Sequence, residues 1–165
     1  MKYLKLVKVY ETLEKTTKRL EKTKIIAEFL KNVSDKDLLH IVNLLQGRVF
    51  PPSDERELGI SSQLTLKIIG STTGIQVDRV TKLWKQIGDL GIVAEKLVKE
   101  KKQSALVKKE LDTEKVFLNL QKVAELSGKG TVNKKIALVS ELLAHASSLE
   151  AKFIIRTILQ DLRIG

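Results

Sequence analysis

Apolar residues recur at three- and four-residue intervals along almost the whole chain, and stretches that alternate apolar with polar are missing. That period lines apolar side chains along one stripe of a helix, so the pattern predicts helices and no sheet. Leu6, Val9, Tyr10, Leu13 and Leu20 suit one long helix, and Ile25, Ile26, Phe29 and Leu30 suit a second. Ser34, with Asp37 three positions on, is an N-cap pattern opening DLLHIVNLLQ, which Gly47 ends. The adjacent prolines Pro51 and Pro52 then break the chain. SSQLTLKII is expected to stop at Gly70 and QVDRVTKLWKQI at Gly88, after which Asp89 caps LGIVAEKLVKEKK. Beyond a linker around Lys101–Leu111, Asp112 caps TEKVFLNLQKVAEL, which stops at Gly128. Thr131 opens VNKKIALVSELLAHA, and Ser148 caps LEAKFIIRTILQDL. The expected fold is all-α: a compact multi-helical domain of about eight or nine helices joined by short loops.

A length of 165 residues suits one domain, or two small halves sharing a core. Apolar residues at 42% and charged residues at 30% are ordinary globular usage and argue against disorder. The absence of cysteine excludes disulfides and thiolate metal sites and fits a reducing cytosol. No apolar run approaches the ~20 residues that span a bilayer, and MKYLKLVKVYETLEK lacks the apolar core of a signal peptide. The final LQDLRIG closes a helix without a tail, so the chain reads as a fragment of something longer.

Charge adds a direction. Thirty Lys and Arg against twenty Asp and Glu leave a net +10. The excess lies at both ends: 11 basic and 6 acidic residues in 1–50, 7 of each in 51–100, and 12 basic and 7 acidic in 101–165. Such a surplus favours polyanions, because each neutralised phosphate releases condensed counterions. A lysine-rich surface that serves only solvation is the competing reading.

Catalytic chemistry is not legible. His40 and His145 sit inside apolar helical patterns and read as packed helix residues, as does Trp84. Metal-ligand spacings such as HExxH, an acidic calcium loop and a G-x-S-x-G elbow are missing from the sequence. Asp35 and Asp37 are cap chemistry at a helix start. SGKGTVNKK resembles a phosphate loop at first sight. A Walker loop, however, needs G-x-x-x-x-G-K-[ST] after a strand, and here Gly128 and Gly130 are two apart and follow a helix. Two readings of the stretch remain compatible. It is a helix end followed by a helix start, and that start, with Lys129, Lys134 and Lys135 around it, is an anion seat suited to a nucleic-acid backbone. A second basic group is Lys152, Arg156 and Arg163, the first two sharing a helix face. A third is Lys15, Lys18, Arg19, Lys22 and Lys24.

Three stretches carry a resemblance. G-D-x-G-x-V-A-E at Gly88–Glu95, G-x-G-[ST]-x-x-K-K at Gly128–Lys135, and E-A-[KR]-[FY]-x-x-R with L-R-[IL]-G across Glu150–Gly165 occur in this order, together with YLKLVKVYETLEKTTKRLEKTKIIAEFLKNV at the start. The chain resembles the N-terminal DNA-binding domain of archaeal and eukaryotic ATP-dependent DNA ligases. The resemblance implies an all-helical domain of two pseudo-symmetric halves that grips duplex DNA across the minor groove on both sides of a nick, for sealing in replication, repair and recombination. It implies DNA contacts at Arg19, Gly128, Lys129, Gly130, Thr131, Lys134, Lys135, Arg163 and Gly165, to which the second basic group adds Arg156 as an expected contact. It also implies a further domain that uses ATP and Mg²⁺ to adenylate the lysine of a K-x-D-G motif. The sequence holds no Asp-Gly pair, so the fragment itself is expected to be non-catalytic, with no cofactor of its own. The domain is expected to continue past Gly165, with the adenylation and OB domains outside the chain.

Archaeal members of that family carry a sliding-clamp motif in the linker. Gln103, Leu106 and Val107 fit its start, but the usual aromatic pair does not follow. The expected partners are therefore nicked double-stranded DNA and, through that linker, a sliding clamp, with no membrane and no small-molecule substrate. The expected compartment is the cytoplasm, or the nucleus in a eukaryote. Two other readings stay open: a helical protein-interaction module, and a nucleotide-binding enzyme using Gly128–Thr131.

Overall fold

A computed structural model of the chain describes residues 1–101 and 109–165. Among them are nine α-helices: α1 (Tyr3–Glu14), α2 (Arg19–Leu30), α3 (Asp35–Leu45), α4 (Ser62–Thr73), α5 (Val77–Ile87), α6 (Leu90–Glu100), α7 (Thr113–Glu125), α8 (Val132–His145) and α9 (Ser148–Ile158). The only strand-like pairing among the described residues is one isolated antiparallel bridge, Lys2 with Asp112. No helix among them is long and apolar enough to cross a membrane.

The centre of the fold is α9. Every residue from Glu150 to Ile158 is buried, so this helix is enclosed on all sides rather than along one stripe. Its Ser147 and Glu150 close a reciprocal capping box, the side chain of each accepting from the other's backbone N–H. The cap thus sits one residue before the Ser148 that the sequence favoured. Helix α6 lies against α9 at very short range. A Cβ on Gly91 would come within 2.7 Å of Arg156 Cγ and 2.8 Å of the Lys152 carbonyl oxygen, so only glycine fits the crossing. Tyr3, Leu6, Val7 and Tyr10 of α1 close another side, where Tyr10 stacks on Phe153 at 5.0 Å and donates to the Leu44 carbonyl at 2.7 Å. Helices α4, α7 and α8 complete a single hydrophobic cluster.

Several expected helix ends hold. Ser34 accepts from the Asp37 amide, Asp89 from Gly91 and Ile92, and Asp112 from Glu114. Gly88 ends α5 in the left-handed conformation. Others move. The first helix ends at Glu14, and Leu20 belongs to a separate helix on which it is 84% exposed. The second helix buries no residue fully and rests on the core only through partly buried Phe29 and Leu30. Helix α4 runs through Gly70 and ends at Gly74, because Gly70 is where the start of α5 packs, with the Ile75 carbonyl 2.9 Å from where a Cβ would stand. Helix α7 ends at Glu125, short of Gly128. Trp84 is partly buried against the core, His40 stacks on Phe117 at 4.5 Å, and His145 Nδ1 accepts from the Lys109 amide at 3.3 Å.

Candidate nucleic-acid interface

The loop between α7 and α8 leaves its backbone open. Gly128 and Gly130 have φ of +90° and +83°, a region that side chains disfavour. Thr131 does not cap α8 with its side chain, as the sequence suggested. Its hydroxyl donates back to the Gly128 carbonyl at 2.9 Å, so no side chain covers the first amides of α8. Lys129 and Lys134 are exposed beside them. Lys135 leans the other way, its Nζ 3.4 Å and 3.5 Å from the carbonyl oxygens of Leu58 and Gly59.

That contact links the loop to a second one. Leu58, Gly59, Ile60 and Ser61 line a cleft with Ile158, Leu159 and Gln160, at the start of the segment that follows α9. This segment, Gln160–Gly165, is unusual in backbone as well as sequence: Gln160 and Arg163, neither a glycine, have φ of +55° and +56°. Such conformations are uncommon for residues with side chains and persist only where the surroundings enforce them. Across from it lie Gln46, Gly47 and Arg48, forming an open groove of about 440 Å³ with Leu162, Arg163, Ile164 and Gly165. Arg48 is exposed and has no ion pair among the described residues. On the other side Lys22 of α2 donates to the Ile164 carbonyl at 2.5 Å, which sets the exposed Arg19 helix beside Gly165. Arg19, Arg48, Arg163, Gly165, Lys134 and the 128–131 loop therefore sit along one chain of contacting segments.

Arg156 and Lys152 behave differently. Their shared face points inward: Arg156 is 5% exposed and Lys152 8%. Arg156 donates to Glu14 at 2.7 Å and to Asp89 at 2.7 Å, and Lys152 donates to Glu14 at 2.6 Å. Burial pushes the carboxyls of Glu14 and Asp89 up, but hydrogen bonds and charge from these cations outweigh it and leave both below their ordinary values. Arg156 is a strut between α9, α1 and the α6 cap. The expected second basic group is thus divided, with Arg163 at the surface and Arg156 inside.

A family model described as the DNA ligase N terminus matches residues 2–165. The chain belongs to that family. Its relatives include the DNA ligase of Methanothermobacter thermautotrophicus, 43% identical over 164 residues, which is 99% of this chain and 29% of that protein. The DNA ligase of Methanosphaera stadtmanae is 43% identical over 166 residues, 99% of this chain and 30% of that protein. The DNA ligase of Archaeoglobus fulgidus is 38% identical over 156 residues, 94% of this chain and 28% of that protein. The chain spans under a third of the length of these curated relatives.

Placed on this member of the DNA ligase N-terminus family, the first and third of the motif stretches meet around the end of α9, while the second touches the Leu58–Gly59 turn through Lys135. Asp89 of the first, Arg156 and Arg163 of the third, and Trp84 line one cavity of about 240 Å³. Arg48 was not singled out from the sequence, since a lone arginine after a helix end has no distinguishing pattern; its place across from Gly165 reveals it. Gln103, Leu106 and Val107 lie outside the described residues. No group of three or more metal-capable side chains occurs among the described residues, and the sequence has no K-x-D-G lysine.

Proposed function

We propose that this chain is the non-catalytic, DNA-gripping part of an ATP-dependent DNA ligase that holds nicked duplex for sealing. The observation that carries the reading is that the cation-bearing segments touch in series, in a family whose members are named as DNA ligases: α2 meets the Arg163–Gly165 segment through Lys22, that segment faces Arg48, and the Gly128–Lys135 loop reaches its start by way of the Leu58–Ser61 turn. Two features of this surface suit a sugar–phosphate backbone read by shape rather than sequence. Gly128 and Gly130 have open space where a side chain would stand, which leaves room for close approach, and the cations are spaced along a strip with no aromatic pair among them. Direct contacts are assigned to Arg19, Gly128, Lys129, Gly130, Thr131, Lys134, Arg163 and Gly165, with Arg48 added. Lys135 supports the loop from behind, and Arg156 acts through the fold.

On this reading ATP, Mg²⁺ and the adenylated lysine belong to the rest of the parent ligase, which works in the compartment that holds the DNA. A sliding clamp is a further partner of the parent through the 103–107 stretch. The apolar residues Leu38, Leu39 and Val42, exposed on α3, favour a second role as a protein-interaction module, since such side chains gain from being covered. The test is a binding titration of nicked duplex against the unaltered chain and the Lys134→Ala/Lys135→Ala variant. The variant should bind more weakly with a salt dependence flatter by roughly one to two ions. Unchanged affinity and slope would remove the loop from the interface.

A further inference from the structure

We infer that Asp89 is a positioning residue for Arg163, fixing the guanidinium and the left-handed backbone beneath it for contact with the DNA strand. The inference rests on the proposed role of Arg163 and goes beyond it, because Asp89 itself is only 4% exposed and cannot reach a ligand. One carboxylate joins the start of α6 to two arginines of a stretch distant in sequence, Arg156 and Arg163. Its Oδ1 accepts from the amides of Gly91 at 2.8 Å and Ile92 at 3.3 Å, which anchors it to the start of α6. Its Oδ2 accepts from Arg156 Nη2 at 2.7 Å and lies 3.3 Å from Arg163 Nη1. The neighbouring Gly88 carbonyl lies 3.4 Å from Arg163 Nη2, so the turn that ends α5 and starts α6 offers Arg163 two acceptors side by side.

The arrangement is directional. The guanidinium of Arg163 is planar, and its donors are fixed relative to one another. With Nη1 and Nη2 held by the Asp89–Gly88 turn and Nε held by Asp161 at 2.8 Å, the side chain keeps one orientation while remaining 44% exposed. An arginine set in place before binding loses less side-chain freedom on contact than one that must be ordered by the ligand. Asp89 can do this because it is itself immobile: two amides and Arg156 hold it, and Gly91 permits α9 to approach so closely. Arg156, expected among the DNA contacts, thus reaches the DNA strip through Asp89.

The experiment measures nicked-duplex affinity and its salt dependence for Arg163→Gln, Asp89→Asn and the double variant, at a temperature where melting curves show all of them folded. Asparagine keeps an oxygen for the α6 cap and removes the charge that faces Arg163. Loss of a charged phosphate contact should weaken binding about tenfold in Arg163→Gln and flatten the salt slope by about one. Asp89→Asn should reproduce most of both effects, and the double variant should bind no more weakly than Arg163→Gln alone. A merely structural role for Asp89 would leave the slope as it is and add its loss to that of Arg163→Gln; either result overturns the inference. Arg163→Gln without effect would instead overturn the assignment of Arg163 to the interface, whatever Asp89 does.

Discussion

Replacing Arg156 with methionine separates the strut from the interface. Methionine keeps much of the buried stem and removes the guanidinium, which is 5% exposed. Removing one partner of a buried ion pair generally costs about 3–5 kcal/mol, because the other partner stays buried without compensation. Here the partners are not abandoned. Asp89 keeps two amide donors and Arg163, and Glu14 keeps Lys152 at 2.6 Å. The loss should therefore sit at the low end, about 3 kcal/mol. For a domain of this size that corresponds to a fall in melting temperature of roughly 6–12 °C. Thermal unfolding followed by circular dichroism, run beside a nicked-duplex titration well below the transition, reads both quantities. Arg156→Met should melt early and show at most the binding loss of Arg163→Gln. An unchanged melting temperature with a binding loss larger than that of Arg163→Gln would refute the reasoning and return Arg156 to the DNA surface.

Gly91→Ala should also destabilise the fold, because its new methyl group meets the Lys152 carbonyl, which is backbone and cannot swing away. Overpacking of this kind costs about 1–3 kcal/mol, and chemical denaturation should show it as a lower midpoint with an unchanged slope. Acid should unfold the chain through the same network. The Glu14 and Asp89 carboxyls lie below their ordinary values of 4.5 and 3.8, so they contribute stability that is fully present above those values and lost as pH falls through the lowered ones. Stability from this source should be flat from neutral pH to about pH 5 and fall below about pH 4, and Glu14→Gln should shrink that fall. Leu20→Ser should leave the unfolding free energy from chemical denaturation within about 0.5 kcal/mol of the parent, since that side chain is 84% exposed and belongs to no core.

The all-helical class was readable because it depends on local period, and the caps at Ser34, Asp89 and Asp112 because an N-cap binds amides only two or three residues away. The break between α1 and α2 was less so. Leu20 continued the apolar spacing, and nothing local says that its helix would turn away from the core. Burial of Lys152 and Arg156 was hidden for a related reason. A four-residue spacing shows that two side chains share a face, but not which way the face points, and their partner Glu14 lies 138 and 142 residues away. One signal was available. At 100° per residue Phe153 falls on the side of Lys152 and Arg156, away from Ala151, Ile154, Ile155 and Ile158, so that side is not a plain solvent face, and charges on an enclosed face need internal partners. The loop at 128–131 was legible as an open turn from its glycines. The contact of its Lys135 with Leu58 and Gly59, and the place of Arg48 across from Gly165, were not, because only the tertiary fold brings them into reach.

The central claim is that the basic strip holds duplex DNA, and the salt dependence of binding tests it most directly. Nicked duplexes of unrelated sequence would be titrated with the unaltered chain across a range of salt concentrations. With about five exposed cations along the strip, Arg19, Arg48, Lys129, Lys134 and Arg163, the logarithm of the binding constant should fall against the logarithm of salt with a slope near −4 to −5, alike for each sequence. Failure to retain nicked duplex even at low salt, or a slope near zero, would contradict the account.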